Sequence, residues 1–507
     1  MSSENLFLTR RRYIKNHMLN PSKKEFIALT KKGTIIPVYV ELLADLETPV
    51  STFLKLASGK PYAYLLESVE GGERWGRYSF MAWEPKLIFQ SRGSQYALHK
   101  PDNKPVWQKT DDPIVELDEV MKRYTPVQVE GLPPFWGGAV GYFGYDIVRF
   151  IERLPNKPKD TLQLPESVFM ITDKIVIFDH LKHSVKIVVC ADVSIGDPGK
   201  VYEAARRSIE AIMRQLKKPL NVKGAKRLRA HLLSSNMSQK QYEANVRTAQ
   251  SYIRKGDIIQ VVPSQRLMRR TDALPFDIYR ALRQINPSPH MFYLQLGSFE
   301  LVGSSPEVLV RKQGDQAETR PIAGTAPRAS DPKREDIVAR NLLADPKERA
   351  EHIMLVDLGR NDLGRVCMPA SVKVPTLMCI EKYSHVMHIV SYVTGTLRPG
   401  TGPFELFRAC FPAGTLSGAP KIRAMEIIDE LERESRCTFG GSVGYFSYSG
   451  NMDMAITIRT MLLKDKTAFV QAGGGVVADS KPAKEYRESR NKAAALFAAI
   501  DKAEEGL

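Results

Sequence analysis

The 507-residue sequence has only five cysteines, Cys190, Cys367, Cys379, Cys410 and Cys437, and none of them stands in C-x-x-C spacing. A disulfide framework and a thiolate zinc site are thereby disfavoured, and a reducing, cytoplasmic setting is expected. No run of 18 apolar residues occurs, so no membrane span is expected, and the N-terminus lacks the apolar stretch of a secretory signal. Internal repeats and long low-complexity segments are absent as well. Acidic residues are the minority charge: 57 against 73 basic, giving +16. That excess invites a nucleic-acid reading. The basic residues are nevertheless spread along the chain, with one dense run from Lys217 to Arg229, and no helix-turn-helix, zinc-finger or aromatic RNA-binding motif accompanies them. An anionic small substrate or an acidic protein partner accounts for the charge equally well. An apolar fraction of 43% and a charged fraction of 26% are ordinary for a globular chain with a large core.

Short β-rich segments and a few helices alternate through the first 215 or so residues, a pattern of the α+β class. Thr34–Leu42, Tyr62–Ser68, Phe135–Phe143, Ile171–Asp179 and Ser184–Cys190 are predicted strands, and Pro113–Tyr124 and Val201–Lys217 are predicted helices. Ser238 caps a helix that runs to Lys255 and closes at Gly256, and Asp257–Leu267 follows as a strand. Four divisions follow: a flexible basic extension over 1–20, including Arg10-Arg11-Arg12; an N-terminal domain over 21–216; a basic linker over 217–236; and a C-terminal domain over 237–507. The last carries nearly all the polar motifs.

Chemistry is read first from two glutamate pairs. Glu348 and Glu351 are three residues apart, and Glu485 and Glu488 repeat the spacing. Asp345-Pro346-Lys347-Glu348 predicts a helix start with Asp as N-cap, Pro at the first helical position and Glu closing a capping box. Pro482 starts a second helix, whose Glu485, Glu488 and Lys492 share a face. Four carboxylates on two helix faces suit a hard cation such as Mg²⁺, which takes few carboxylates and completes its shell with water and substrate oxygens. Gly473-Gly474-Gly475, just before the second pair, suits exposed amides or close approach of a ligand carboxylate.

Read in order, the remaining motifs are Gln260-Val261-Val262-Pro263-Ser264-Gln265-Arg266, Gly303-Ser304-Ser305-Pro306-Glu307, Pro321-Ile322-Ala323-Gly324-Thr325, Ala350-Glu351-His352 through Asp357, Val386-Met387-His388, Pro412-Ala413-Gly414-Thr415-Leu416-Ser417-Gly418-Ala419-Pro420-Lys421 and Ile456-Thr457-Ile458-Arg459. From about Pro21 to the C-terminus the sequence resembles the chorismate-utilising enzymes, in particular the large, component I subunits of anthranilate synthases. The resemblance implies two antiparallel sheets packed as a β-sandwich flanked by helices, with interlocked regulatory and catalytic domains. It implies a lyase reaction in which ammonia adds to C2 of chorismate as the C4 hydroxyl leaves, followed by loss of pyruvate.

Residue roles follow from the same resemblance. Glu307 matches the general acid, His388 the histidine beside the departing pyruvoyl end, and Glu351 and Glu488 the direct Mg²⁺ ligands, with Glu348 and Glu485 acting through water. Arg459, Lys492, Thr415, Gly324, Thr325 and the Gly473, Gly474 and Gly475 amides match substrate contacts. Sister enzymes that activate water carry a lysine where this chain has Gln260, and aminodeoxychorismate synthases of folate synthesis, the runner-up reading, carry one where this chain has Ala323. Both residues favour anthranilate formation. Ala326 and Phe439 replace an arginine and a tyrosine usual in the family.

Leu65-Leu66-Glu67-Ser68 and Asn286 through Phe292 resemble the family's tryptophan-binding segments, implying contacts from Glu67, Ser68, Pro289, Met291, Phe292, Val443 and Tyr445. The usual residue at 290 is tyrosine; this chain has histidine. No glutamine-hydrolysing Cys-His-Glu module is recognisable. A separate glutamine amidotransferase subunit is therefore implied, in a heterotetramer of two large and two small subunits.

Overall fold

The computed structural model describes residues 18–69, 76–220, 228, 231–329, 331–383 and 386–507. Arg10-Arg11-Arg12, with nearly all of the 1–20 extension, and most of the basic run from Lys217 to Arg229 lie outside them. Two large antiparallel sheets, of eleven and twelve strands, form the body of the molecule. Each is half N-terminal and half C-terminal. In the eleven-stranded sheet the seam is Tyr62–Glu67 against His290–Leu296, and in the twelve-stranded sheet it is Gly138–Phe143 against Ser442–Ser447. Neither half completes a sheet alone, which is the interlocking that the resemblance implied.

Alternation along the strands assigns the faces. Tyr64, Leu294 and Leu301 point into the cluster shared with Phe143, Phe169 and Phe446 of the other sheet and with Phe404 and Phe407 of helix Pro403–Cys410, where Phe404 stacks on Phe446 at 4.1 Å. Their neighbours Ala63, Leu65, Tyr293 and Val302 point the opposite way, onto helix residues Phe53, Ile209, Tyr279 and Ile500. No helix among the described residues is long and apolar enough to cross a membrane.

Two predicted strands break where the chain changes sheet, and a third is shortened. Ile171–Asp179 is two strands: Ser167–Thr172 pairs in one sheet and Lys174–Asp179 in the other, with the crossing at Asp173. An apolar run buried in two successive sheets has no period that marks the crossing. Asp257–Leu267 likewise divides into Gln260–Val261 and Ser264–Arg270, because Pro263 between them has no N–H for a ladder. In Phe135–Phe143 only Gly138–Phe143 is strand. The helices fare better: Gln239–Lys255 has Ser238 in a complete capping box and Gly256 at φ 81° closing it.

Candidate active site

The site lies where the chain again crosses between sheets. Glu300–Ser305 belongs to the eleven-stranded sheet and Val308–Gln313 to the twelve-stranded one, so Pro306-Glu307 is a crossing. Met452–Ile456 and Thr460–Lys464 make the return crossing, which carries Arg459 at φ 48°. The two are laced together: the Ile456 amide donates to the Glu307 carbonyl at 3.0 Å, and the Ser304 amide donates to the Arg459 carbonyl at 3.0 Å. A crossing frees side chains from both sheet faces and aims them into the space between layers.

Glu307 is 7% exposed, and burial pushes its carboxyl up to about 8, against the opposing pull of Thr415, Arg320 and Lys492. It is therefore protonated at neutral pH. Thr415 comes from a single helical turn, Gly414–Leu416, and lines the same small cavity as Glu307. On the other side, a cavity of about 420 Å³ is lined by Asn286, Ser304, Tyr383, His388 and Arg459. His388 Nδ1 lies 2.9 Å from the Gly324 carbonyl oxygen and 3.0 Å from Thr325 Oγ1. A carbonyl only accepts, so Nδ1 carries the proton and Nε2 is left as the base. Burial, with Arg459 and Arg320 nearby, lowers the imidazole's pKa and keeps it neutral, opposed by the Gly324 hydrogen bond.

The glutamate pairs do come together. They project from helices Pro346–Gly364 and Pro482–Glu505 toward the glycine run. A Cβ on Gly474 would lie 3.0 Å from Glu485 Oε2 and 3.7 Å from Glu488 Oε1, and one on Gly475 would strike Gln260 Nε2 at 2.3 Å and stand 3.6 Å from Glu351 Oε1. Gly324, at φ +65°, is in similar contact with Glu348. Only glycine leaves this cradle open. Burial and the charge of Glu351 raise the Glu348 carboxyl, and burial and Glu488 raise Glu485. Carboxyl groups crowded in this way form a donor set that a hard cation would stabilise. Gln260 Nε2 donates to Glu351 at 3.1 Å while its Oε1 is buried without a partner among the described residues.

One expectation needs correction. The capping box at Asp345 is one-sided: Asp345 accepts from the amides of Lys347 and Glu348, but the Glu348 side chain lies against Gly324 instead of returning to the cap. Lys492, expected at a substrate carboxylate, has its ammonium paired with Glu488 at 2.9 Å and donates to the Gly473 carbonyl at 3.0 Å. As placed, no group of three His, Cys, Asp or Glu side chains among the described residues forms a ready metal cage. Glu488 is instead capped by Lys492 and Glu351 by Gln260.

Sequence reasoning missed Arg320, which is 1% exposed, donates to Tyr383 Oη at 2.7 Å and pairs with Glu381. It directly precedes Pro321-Ile322-Ala323-Gly324-Thr325, and a cation so placed beside a motif was the available signal. A further cavity of about 350 Å³ is lined by Glu67, Ser68, Pro289, Met291, Phe292, Val443 and Tyr445, together with His290, Arg311 and Asp453. All seven tryptophan-segment residues thus share one pocket. Glu67 within it is already committed, accepting from Tyr279 Oη and, at 3.0 and 3.3 Å, from Arg283. Ser68 Oγ and His290 Nδ1 are buried without partners among the described residues.

A carboxyl raised to about 8, a neutral imidazole, and four carboxylates around a glycine cradle are thus gathered between the two sheets, and they mark the site of an enzyme. Residues 62–498 match the family described as chorismate binding enzyme, and the chain belongs to that family. Within it, the chain is 46% identical over 495 residues to anthranilate synthase component 1 of Acetivibrio thermocellus, covering 96% of this chain and 100% of that protein. Against the component 1 of Aquifex aeolicus it is 47% identical over 491 residues, covering 96% and 99%. The crystal structure of anthranilate synthase component I from Streptococcus pneumoniae matches with a TM-score of 0.74 at 34% identity, covering 90% of this chain and 98% of that one. The menaquinone-specific isochorismate synthase of Escherichia coli shares the fold, with a TM-score of 0.70 at 15% identity over 94% of this chain and 99% of that one. The resemblance read from the sequence is thus borne out at the level of fold, family and enzyme class.

Proposed function

We propose that this chain is the large subunit of an Mg²⁺-dependent anthranilate synthase, which converts chorismate and ammonia to anthranilate and pyruvate in the first committed step of tryptophan synthesis. The observation that carries the reading is the protonated Glu307 beside a glycine-lined cradle of four glutamates. Glu351 and Glu488 would hold the Mg²⁺, with Glu348 and Glu485 behind them. When bound, the ion supplies positive charge against the substrate's ring carboxylate. Glu307 donates its proton to the C4 hydroxyl, which leaves as water as ammonia bonds to C2. His388 Nε2 would then take the C2 proton, whose electron pair forms the ring's last double bond as the C3–O bond breaks and the enolpyruvyl group leaves as pyruvate. Arg459, whose guanidinium has no partner among the described residues, suits a substrate carboxylate as a bidentate fork.

Gln260 supports ammonia rather than water as the nucleophile, since an amide that donates to Glu351 cannot take a proton from water at neutral pH. Ala323 opposes the aminodeoxychorismate alternative, because a methyl group cannot attack C2. Ammonia would reach the site from a glutamine amidotransferase partner, and tryptophan would act as a feedback inhibitor in the cavity at Ser68. Incubating the chain with chorismate, Mg²⁺ and ammonium tests the reading, because anthranilate is fluorescent.

A further inference from the structure

Next to the strand that pairs with the glycine run lies a buried ion pair that the chemistry above does not use. Arg436 and Glu432 have side-chain exposures of 1% and 3% and meet at 2.7 Å through Nη2 and at 2.9 Å through Nε. The guanidinium does more than neutralise the carboxylate. Its Nη1 donates to the Leu416 carbonyl at 2.7 Å, and its Nη2 donates to the Val262 carbonyl at 2.6 Å. Glu432 Oε1 in turn accepts from the Ser264 amide and from Ser264 Oγ, both at 2.8 Å. The guanidinium plane is packed over the Tyr145 ring at 4.8 Å and the Phe439 ring at 5.4 Å.

Each of these backbone contacts is next to a residue of the site. Leu416 follows Thr415. Val262 is two residues beyond Gln260, and Ser264 pairs in register with Gly473, the first glycine of the run. The two segments are otherwise joined by one short ladder, Gln260–Val261 against Gly418–Ala419, flanked by the Ile259 and Val262 amides, which donate to the Ala419 and Ser417 carbonyls at 2.7 and 3.1 Å. Two two-residue strands do not fix a geometry to a fraction of an ångström. An arginine fork that holds both carbonyls in one rigid plane does.

We propose that Arg436, oriented by Glu432, is a positioning residue that sets Thr415 and Gln260 relative to one another and, through Ser264, relative to the glycine cradle. Its effect on turnover rests on the proposed reaction; its effect on the two segments does not.

Removing one partner alone leaves a buried unpaired charge and destabilises strongly, so single truncations do not separate positioning from folding. Replacing both partners with apolar side chains of similar size is often neutral for stability. The test is therefore the double variant Arg436→Met with Glu432→Met, compared with Arg436→Lys, which keeps the charge but not the fork. The double variant is expected to melt near the wild-type temperature while amide exchange rises in 259–264 and 414–419 and not elsewhere. Its kcat should fall about 100-fold, the scale of an ångström-sized misplacement, with KM for chorismate changed less than about threefold. Arg436→Lys should lie between the two. A folded double variant with wild-type kcat and unchanged exchange in those segments would overturn the proposal. If the double variant does not fold, wild-type kcat in Arg436→Lys overturns it instead. If the wild-type chain makes no anthranilate, the reaction assignment fails, and the exchange measurement still decides whether the pair holds the two segments.

Discussion

Gln260 donates its side-chain amide to Glu351 at 3.1 Å, so a neutral hydrogen-bond donor stands where sister enzymes place a lysine. The amide orients the carboxylate without neutralising it, which leaves its charge for a cation. Groups that orient metal ligands typically affect affinity 10- to 100-fold. Gln260→Leu is accordingly expected to raise the Mg²⁺ concentration for half-maximal activity by about that factor while the chain stays folded. Gln260→Lys should raise it further, since an ammonium would compete for Glu351. Unchanged Mg²⁺ titrations in both variants would show that the contact is incidental.

Glu307 gives a prediction with opposite signs for activity and stability. Its folded pKa, raised by burial from 4.5 to about 8, means that the folded chain binds a proton that the unfolded chain has lost between those values. The associated stability is fully present below the ordinary carboxylate pKa and disappears as pH rises through 8. Glu307→Gln cannot ionise, so its melting temperature should exceed that of the wild type at pH 8–9 and the difference should vanish near pH 4. Turnover in the same variant should fall about 10²- to 10⁴-fold, the usual contribution of a positioned general acid. Wild-type rates, corrected for free ammonia, should decline above pH 8. A variant destabilised at pH 9 would contradict the assignment.

Replacing Glu351 or Glu488 by Gln should lower the rate about 10²- to 10³-fold, the scale for losing one charge-stabilising contact, with circular dichroism unchanged. Glu488→Gln should also release Lys492 from its 2.9 Å pair, so its loss should be accompanied by a changed KM for chorismate. Wild-type rate and Mg²⁺ dependence in folded variants would reduce the four glutamates to a solvated surface.

Much of the site was legible because helix spacing and cap residues are local. The E-x-x-E pairs, Pro346, Pro482 and the glycine run each carry their meaning within a few residues, and the glutamates meet across the glycines as read. Layer crossings were not legible. Asp173, Pro306-Glu307 and Ile458-Arg459 separate strands of different sheets, and nothing within their own windows distinguishes a crossing from a continuing strand. Other commitments of charged groups were equally hidden: Glu67 to Arg283 and Arg320 to Glu381 are contacts between distant parts of the chain, whereas Lys492 to Glu488 is an i,i+4 pair on one helix and was within reach of the spacing. Only the folded structure decides which cation is left for a ligand.

In the tryptophan-segment cavity, the Ser68 hydroxyl and His290 Nδ1, unpartnered among the described residues, rather than the committed Glu67, are groups left for an inhibitor's polar end. Tryptophan is expected to weaken chorismate binding roughly 5- to 150-fold, with reciprocal weakening of its own binding by chorismate. Ser68→Arg should fill the pocket and abolish inhibition while uninhibited turnover remains. Calorimetry showing no tryptophan binding to the wild-type chain at millimolar concentration would remove the regulatory part of the account.

The most direct test of the central claim is anthranilate fluorescence from the purified chain with chorismate and Mg²⁺, run once with ammonium at alkaline pH and once with glutamine. Anthranilate is expected from ammonium, and none from glutamine until an amidotransferase subunit is added. No anthranilate from ammonium, or glutamine-dependent formation in a preparation shown to contain no other protein, would contradict it.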